Sequence, residues 1–286
     1  MKKKKLLFII ESLICAGAEK SLISFLSTLD YSKYEVDLQL FSYGGEFEQF
    51  LPKEVNLLPP FDYTRFLEKN NIQQLLTLDF KKIIARWKYS IAIRNETTYN
   101  ADKARLYWQH VSKCLPVNPK EYDVAIGYAQ GLPTFYASEK VKAPVKLCWV
   151  NVSYKLTDIN KEFQKKFYDS MNHIVTVSDS AHEYFQNVYP QFAHKMLVIW
   201  DMLDAKFIER LSNIQTDTTM DKNVPCFLTI ARLNKDQKGY DISLEACKLL
   251  KERGIQFKWY ALGRGPYQEE METYIKENQL EDTFFL

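Results

Sequence analysis

Residues 6–10 read LLFII, apolar at five consecutive positions with no alternation. A strand with one solvated face alternates. A continuous run needs apolar cover on both faces, the condition of a parallel sheet between layers of helices. The next residues supply that cover. A short loop holding Gly17 leads into Leu22, Phe25, Leu26 and Leu29, spaced as one face of an amphipathic helix. Strand, glycine-bearing loop and helix open a doubly wound α/β domain.

The pattern repeats along the chain. Strands are predicted at 35–41, 122–128, 145–150, 173–177 and 196–200. A helix is predicted at 181–187, behind the N-cap types Ser178, Asp179 and Ser180. Residues 64–113 are mostly helical in pattern. At 212–223 (SNIQTDTTMDKN) the chain turns polar with no sustained period, which reads as a linker. Beyond it come a strand at 226–230, a helix at 242–253 stopped by Gly254, a strand at 257–262, a helix at 267–278 and a last strand at 283–286. The expected organisation is a first Rossmann-like domain at 1–211, a linker at 212–223, and the first part of a second Rossmann-like domain at 224–286. The second stretch ends on an apolar strand and is small for an independent core, so it reads as incomplete.

Composition excludes several classes. The 286 residues carry a net charge of +2, which gives no global attraction to nucleic acid, and no nucleic-acid-binding motif is present. Lys2 to Lys5 ahead of an apolar run resembles the start of a signal peptide, but Glu11 cuts the run to five residues, short of the roughly 7 needed. No stretch approaches the roughly 18 apolar residues of a membrane span. The five cysteines form no C-x-x-C pair and no metal-type spacing with the four histidines. They are expected to be buried and reduced, which implies a reducing, cytoplasmic setting.

Chemistry concentrates in residues 230–239, IARLNKDQKG. Arg232 leaves a strand at its carboxyl end, and Lys238-Gly239 follows before a helix. Two cations and a helix N-terminus at the ligand-binding edge of a parallel sheet suit an anion such as a diphosphate. Charge count alone favours a solvated charged loop.

The order of motifs adds to that reading. Arg232-Leu233, Lys238-Gly239 and Gly263-Arg264-Gly265-Pro266 resemble, in sequence and spacing, the nucleotide-binding half of glycosyltransferase family 4. Gly17-Ala18-Glu19 is similar to that family's G-G-A-E loop, with Ala16 in place of the first glycine. Residues 175–180 (VTVSDS) and 196–204 (MLVIWDMLD) resemble its V-x-V-S-x-S stretch and hinge entry. The resemblance implies a GT-B fold, two Rossmann-like doubly wound domains facing a cleft. It implies transfer, with retention, of a sugar from a UDP- or GDP-linked donor to a glycan or lipid-linked acceptor.

By the same resemblance Arg232 and Lys238 contact the donor diphosphate, without a metal or other cofactor. Gly263 and Gly265 let backbone approach the nucleotide, and Gly17 lies across the cleft. Asn151, after Trp149, stands where the family commonly has a histidine near the reacting sugar. Asparagine hydrogen-bonds but does not titrate, and its other reading is an amide closing a strand end. The family's E-x7-E element would fall beyond Leu286, so this chain by itself is expected to lack transferase activity.

Residues 81–113 hold eight Lys or Arg against Glu96 and Asp102, interleaved with Trp87, Tyr89, Tyr99, Tyr107 and Trp108. This pattern fits an anionic membrane surface on the cytoplasmic side, and it equally fits a basic helix face with aromatics in the core. Two rivals to the transferase reading are a non-catalytic acceptor-binding subunit and a dinucleotide-dependent redox enzyme. Against the latter, Gly17 has no G-x-G-x-x-G context.

Overall fold

The computed structural model describes residues 2–96, 99–152, 156–214, 220–221 and 223–286, in two compact units, Met1–Leu211 and Ser212–Leu286. Residues 215–219 and 222 of the predicted linker lie outside the described residues.

The first unit opens with β1 (Lys4–Ile10), α1 (Gly17–Thr28), β2 (Tyr34–Leu40) and β3 (Val55–Leu57). A helical segment follows: α2 (Asp62–Glu68), α3 (Asn71–Leu76), α4 (Phe80–Glu96) and α5 (Asn100–Val111). Then come β4 (Val124–Gly127), α6 (Leu132–Lys140), β5 (Val145–Val150), α7 (Asp158–Asp169), β6 (His173–Thr176), α8 (Asp179–Val188), β7 (Met196–Val198) and α9 (Ala205–Ser212). The strands form one parallel sheet in the order β3-β2-β1-β4-β5-β6-β7.

β1 shows why its sequence is continuously apolar. Leu7 and Ile9 enter the core with Trp108, Phe135 and Phe167, while Leu6, Phe8 and Ile10 enter the core with Leu22, Leu26 and Leu38. Period-two alternation sends successive side chains into two different cores, one on each face. The chain leaves β1 toward β2 and β3 on one side and later begins β4 on the other. The topological switch point therefore lies between the carboxyl ends of β1 and β4.

One buried charge is built into this sheet. Asp37 on β2 is 1% exposed. It accepts hydrogen bonds from Tyr122 Oη (2.6 Å), Asn56 Nδ2 (2.9 Å) and Lys120 Nζ (2.9 Å). Burial alone would raise its carboxyl; the three donors outweigh burial and hold it below the usual range. They tie the β3 strand and the segment entering β4 to β2.

The second unit contains β8 (Cys226–Ile230), a single turn α10 (Lys235–Lys238), α11 (Tyr240–Glu252), β9 (Lys258–Leu262), α12 (Gln268–Glu277) and β10 (Phe284–Phe285). Its parallel sheet has the order β10-β9-β8. Leu233, Tyr240, Leu244, Met271, Leu280 and Phe284 are among its core residues. Gly254, at φ +72°, follows the last turn of α11, and Ile255 N–H reaches back to Leu250 O at 3.2 Å, the closure expected of a glycine C′ residue.

The expectation of buried cysteines holds for Cys148 and Cys247. Cys114 is half-buried, and Cys15 and Cys226 are exposed. Cys226 is exposed because β8 is an edge strand, whose Phe227, Leu228 and Ile230 are exposed too.

Residues 81–113 do not form one basic face. Arg105 is buried on α5, where Nε donates to Asn160 Oδ1 (2.8 Å), and Trp108 is buried with its Nε1 donating to Glu139 (2.9 Å). The half-buried Tyr107 packs edge-on against Tyr63. The exposed basic and apolar residues gather on α4 instead, joined by those of α3 and the α3–α4 turn.

Candidate functional site

In the second unit, β8 and β9 continue to hydrogen-bond past their ends. Ala231 N–H donates to Leu262 O (3.1 Å), Leu233 N–H to Arg264 O (3.1 Å), and Tyr267 N–H to Leu233 O (3.2 Å). The two loops are zipped backbone to backbone. Leu233 is 1% exposed and anchors the first loop in the core, while Tyr240 Oη donates to Ala231 O at 3.0 Å. Arg232, between these anchors, is held outward and exposed.

Gly263 and Gly265 owe their identity to this zipper. A Cβ on Gly263 would lie 1.9 Å from Ala231 O, and one on Gly265 would lie 2.1 Å from Leu233 O. Their close approach is to the Arg232 loop itself. The turn is the mould in which the cationic loop is set.

Residues after Arg232 sort into paired and unpaired cations. Lys235 Nζ is 3.0 Å from Glu270 Oε2 and lies over the Tyr267 ring. Its hydrogen bond to Glu270 raises its pKa. Lys238 is exposed at the end of α10, and neither it nor Arg232 has an ion-pair partner among the described residues. Lys238 directly precedes Gly239 and α11, whose N-terminus carries no side-chain cap. The first N–H groups of a helix have no intrahelical partner and suit an external acceptor. Asn234 Oδ1 is buried with no hydrogen-bond partner among the described residues. Among the described residues the loop thus offers two cations without ion-pair partners, a helix N-terminus without a side-chain cap and one acceptor without a partner.

The remaining predicted residues belong to the first unit. Gly17 is the first residue of α1, is exposed, and has open space around it. Ala16 takes an extended N-cap conformation (φ −147°), so this loop needs no positive φ at position 16. Asn151 follows β5. Its Nδ2 donates to Tyr128 O (2.9 Å) and its N–H to Gln130 Oε1 (3.0 Å). Its Oδ1 is buried and unpartnered among the described residues. The amide closes a strand end and keeps one acceptor in reserve. Glu11, which the sequence marks only as the end of an apolar run, also lies at this carboxyl edge.

No protein-family model matches the chain. Over 55 residues it is 42% identical to WcaL of Escherichia coli (strain K12), which carries the name of a colanic acid biosynthesis glycosyltransferase. That stretch covers 19% of this chain and 13% of the relative. HepE of Anabaena, solved with UDP and glucose, aligns over 99% of this chain and 69% of its own, with a TM-score of 0.56 and 17% identity. A TarM mutant of S. aureus, solved with fondaparinux, α-GlcNAc-glycerol and UDP, aligns over 99% and 77%, with a TM-score of 0.57 and 13% identity. These likenesses establish the fold. It is α/β of the GT-B type, built from Rossmann-like units.

Proposed function

We propose that this chain serves a nucleotide-sugar-dependent glycosyltransferase of polysaccharide or glycoconjugate biosynthesis. The second unit holds the donor diphosphate and the first receives a glycan or lipid-linked acceptor. One observation carries the reading: Arg232 and Lys238 lack ion-pair partners among the described residues, beside the uncapped α11, on a loop fixed by the Gly263–Gly265 turn. Such a site stabilises the charge that grows on a leaving diphosphate. Arginine supplies a fork of donors and lysine a mobile point charge. The short identity to WcaL and the fold shared with HepE and TarM support the same class. Transfer is read as retaining, with a UDP- or GDP-linked donor bound without a metal.

Calorimetric titration tests this. UDP or GDP should bind the native chain saturably, the corresponding nucleoside at least about tenfold more weakly, and excess EDTA should leave both unchanged. Equal affinity for nucleoside and diphosphate would remove the phosphate site from the account.

The acceptor side bears on a membrane surface. Ile72, Leu75, Leu76, Leu78, Phe80 and Trp87 are each more than 60% exposed. Leu75 and Trp87 line a groove of ≈ 330 Å³ together with Arg86, Ile91 and Arg94. Exposed apolar side chains among cations match the boundary of an anionic bilayer. No helix among the described residues is long and apolar enough to cross one. Cosedimentation should show binding to phosphatidylglycerol vesicles and little to phosphatidylcholine vesicles. At about 1 kcal/mol per basic residue near the surface, replacing Lys81 and Lys88 by Ala should weaken it by roughly tenfold or more. Equal binding to both vesicle types would contradict the surface.

A further inference from the structure

The groove on α3 and α4 is lined by two rows of opposite character. Ile83, Trp87 and Ile91 recur every four residues on α4 and form one row. Arg86, Ser90 and Arg94 recur likewise and form the row beside it. Both rows line the groove, and Leu75 of α3 lines it with them. Its volume of ≈ 330 Å³ is near the lower end of the roughly 300–1,000 Å³ of small-molecule sites. That is room for one apolar chain, not for a patch of bilayer.

The two helices are held at their ends. Asn70 and Gln73 form a capping box at the start of α3. At the start of α4, Asp79 accepts from Lys82 N–H (3.1 Å) and pairs with Lys82 Nζ (2.9 Å). The buried Gln74, also in the groove lining, donates from Nε2 to Lys69 O (2.6 Å). Between the helices Leu78 takes φ +52°, a left-handed conformation costly for a leucine, and its side chain is exposed.

Charge selects the ligand. From Lys69 to Arg94 the sequence holds six basic residues and one acidic residue, Asp79, which is already paired with Lys82. Arg86, Ser90 and Arg94 have no hydrogen-bond or ion-pair partner among the described residues. Ser90 lies one turn from each arginine, an axial distance of about 6 Å. Both guanidinium groups are long enough to reach an anion seated on its hydroxyl, and their planar forks match a phosphate. A second copy of this chain suits the face poorly, because a two-fold contact would set the same cations against each other. A ligand that satisfies both rows carries an apolar chain on an anionic head.

We infer that this groove is a stoichiometric site for one anionic amphiphile, a phosphate ester of a long apolar alcohol. The chain lies along Ile83, Trp87 and Ile91, and the phosphate sits at Ser90 between Arg86 and Arg94. This site differs from adsorption to a bilayer, since Lys81 and Lys88 of the proposed membrane contact do not line it. Naming the amphiphile as the carrier of the acceptor rests on the proposed transferase function. The site itself does not.

Calorimetric titration of the full chain with dodecyl phosphate, kept monomeric and free of vesicles, tests this. Binding should saturate at one equivalent. Dodecyl maltoside, with the same chain and an uncharged head, should bind at least about tenfold more weakly, and inorganic phosphate at least about a hundredfold more weakly. Arg94→Gln should weaken dodecyl phosphate by roughly tenfold and leave dodecyl maltoside unchanged. Ser90→Trp should fill the groove and weaken both amphiphiles. Leu75→Gln, at an exposed side chain, should weaken both while thermal unfolding stays native-like. The double variant Lys81→Ala, Lys88→Ala should bind dodecyl phosphate within about threefold of the native chain, although its vesicle binding falls. Equal affinity for the two amphiphiles, binding beyond one equivalent without saturation, no binding, or native affinity in both Ser90→Trp and Leu75→Gln would each overturn the inference. So would a dimer in sedimentation that dodecyl phosphate leaves intact and Ser90→Trp dissociates, because a second copy would then cover the groove. Failure to bind phosphatidylglycerol vesicles, with dodecyl phosphate binding intact, would count against the membrane contact alone. Failure to bind UDP and GDP would count against the donor reading alone.

Discussion

Gly263→Val is expected to unfold the second unit while leaving the first intact. A Cβ at 263 would stand 1.9 Å from a carbonyl oxygen, and the obstruction is backbone on a loop hydrogen-bonded to its neighbour, so no rotamer change relieves it. Overpacking a well-filled site typically costs 1–3 kcal/mol, and a backbone clash in so small a unit should cost about 3 kcal/mol or more. Gly265→Val meets Leu233 O at 2.1 Å and should behave alike. Gly17→Ala is the control. It enters open space in the first turn of α1 and should leave stability unchanged or raise it by up to about 1 kcal/mol. Hydrogen exchange separates these outcomes: peptides from 226–286 should lose protection in both valine variants, and peptides from β1 and β4 should keep theirs. Native protection in Gly263→Val would show that the two loops do not pack as described. Because Arg232 lies on the displaced loop, nucleotide binding should be lost together with that protection.

The fold was legible wherever apolar periodicity was strong. Residues 6–10, 145–150 and 226–230 each read as strands and each form one, but 226–230, whose continuous apolar run reads as buried, is an exposed edge strand. Two helices escaped that reading for opposite reasons. On α6, Pro133, Thr134, Phe135, Tyr136 and Ala137 are all buried, so no polar face sets a period. On α7 the buried face includes Asn160 and Gln164, whose burial depends on hydrogen-bond partners rather than hydrophobicity. β3 is three residues at a sheet edge, too short to carry a pattern.

The site was legible as a motif, but the work done by each residue was not. Spacing pointed to Lys238, while Lys235 is equally charged and closer to Arg232. Only the fold shows that Glu270, 35 positions away, neutralises Lys235. The glycines of G-x-G-P read as nucleotide-facing, and their tightest contacts are with the Arg232 loop. The aromatic and basic density at 81–113 mixed an interior helix, α5, with a surface helix, α4, because burial of Arg105 depends on Asn160 and Gln109.

The most direct measurement of the central claim is UDP or GDP affinity, whichever nucleotide binds, in Arg232→Ala, Lys238→Ala and Lys235→Ala. A charge-assisted hydrogen bond to phosphate contributes about 1.5–3 kcal/mol. Arg232→Ala and Lys238→Ala should therefore each weaken binding by roughly tenfold to a hundredfold. Lys235, already paired with Glu270, should change it by less than about threefold. All three side chains are exposed, so native-like thermal unfolding is expected throughout. Affinity indifferent to Arg232 and Lys238, or more sensitive to Lys235 than to either, would contradict the assignment of this loop to the donor diphosphate.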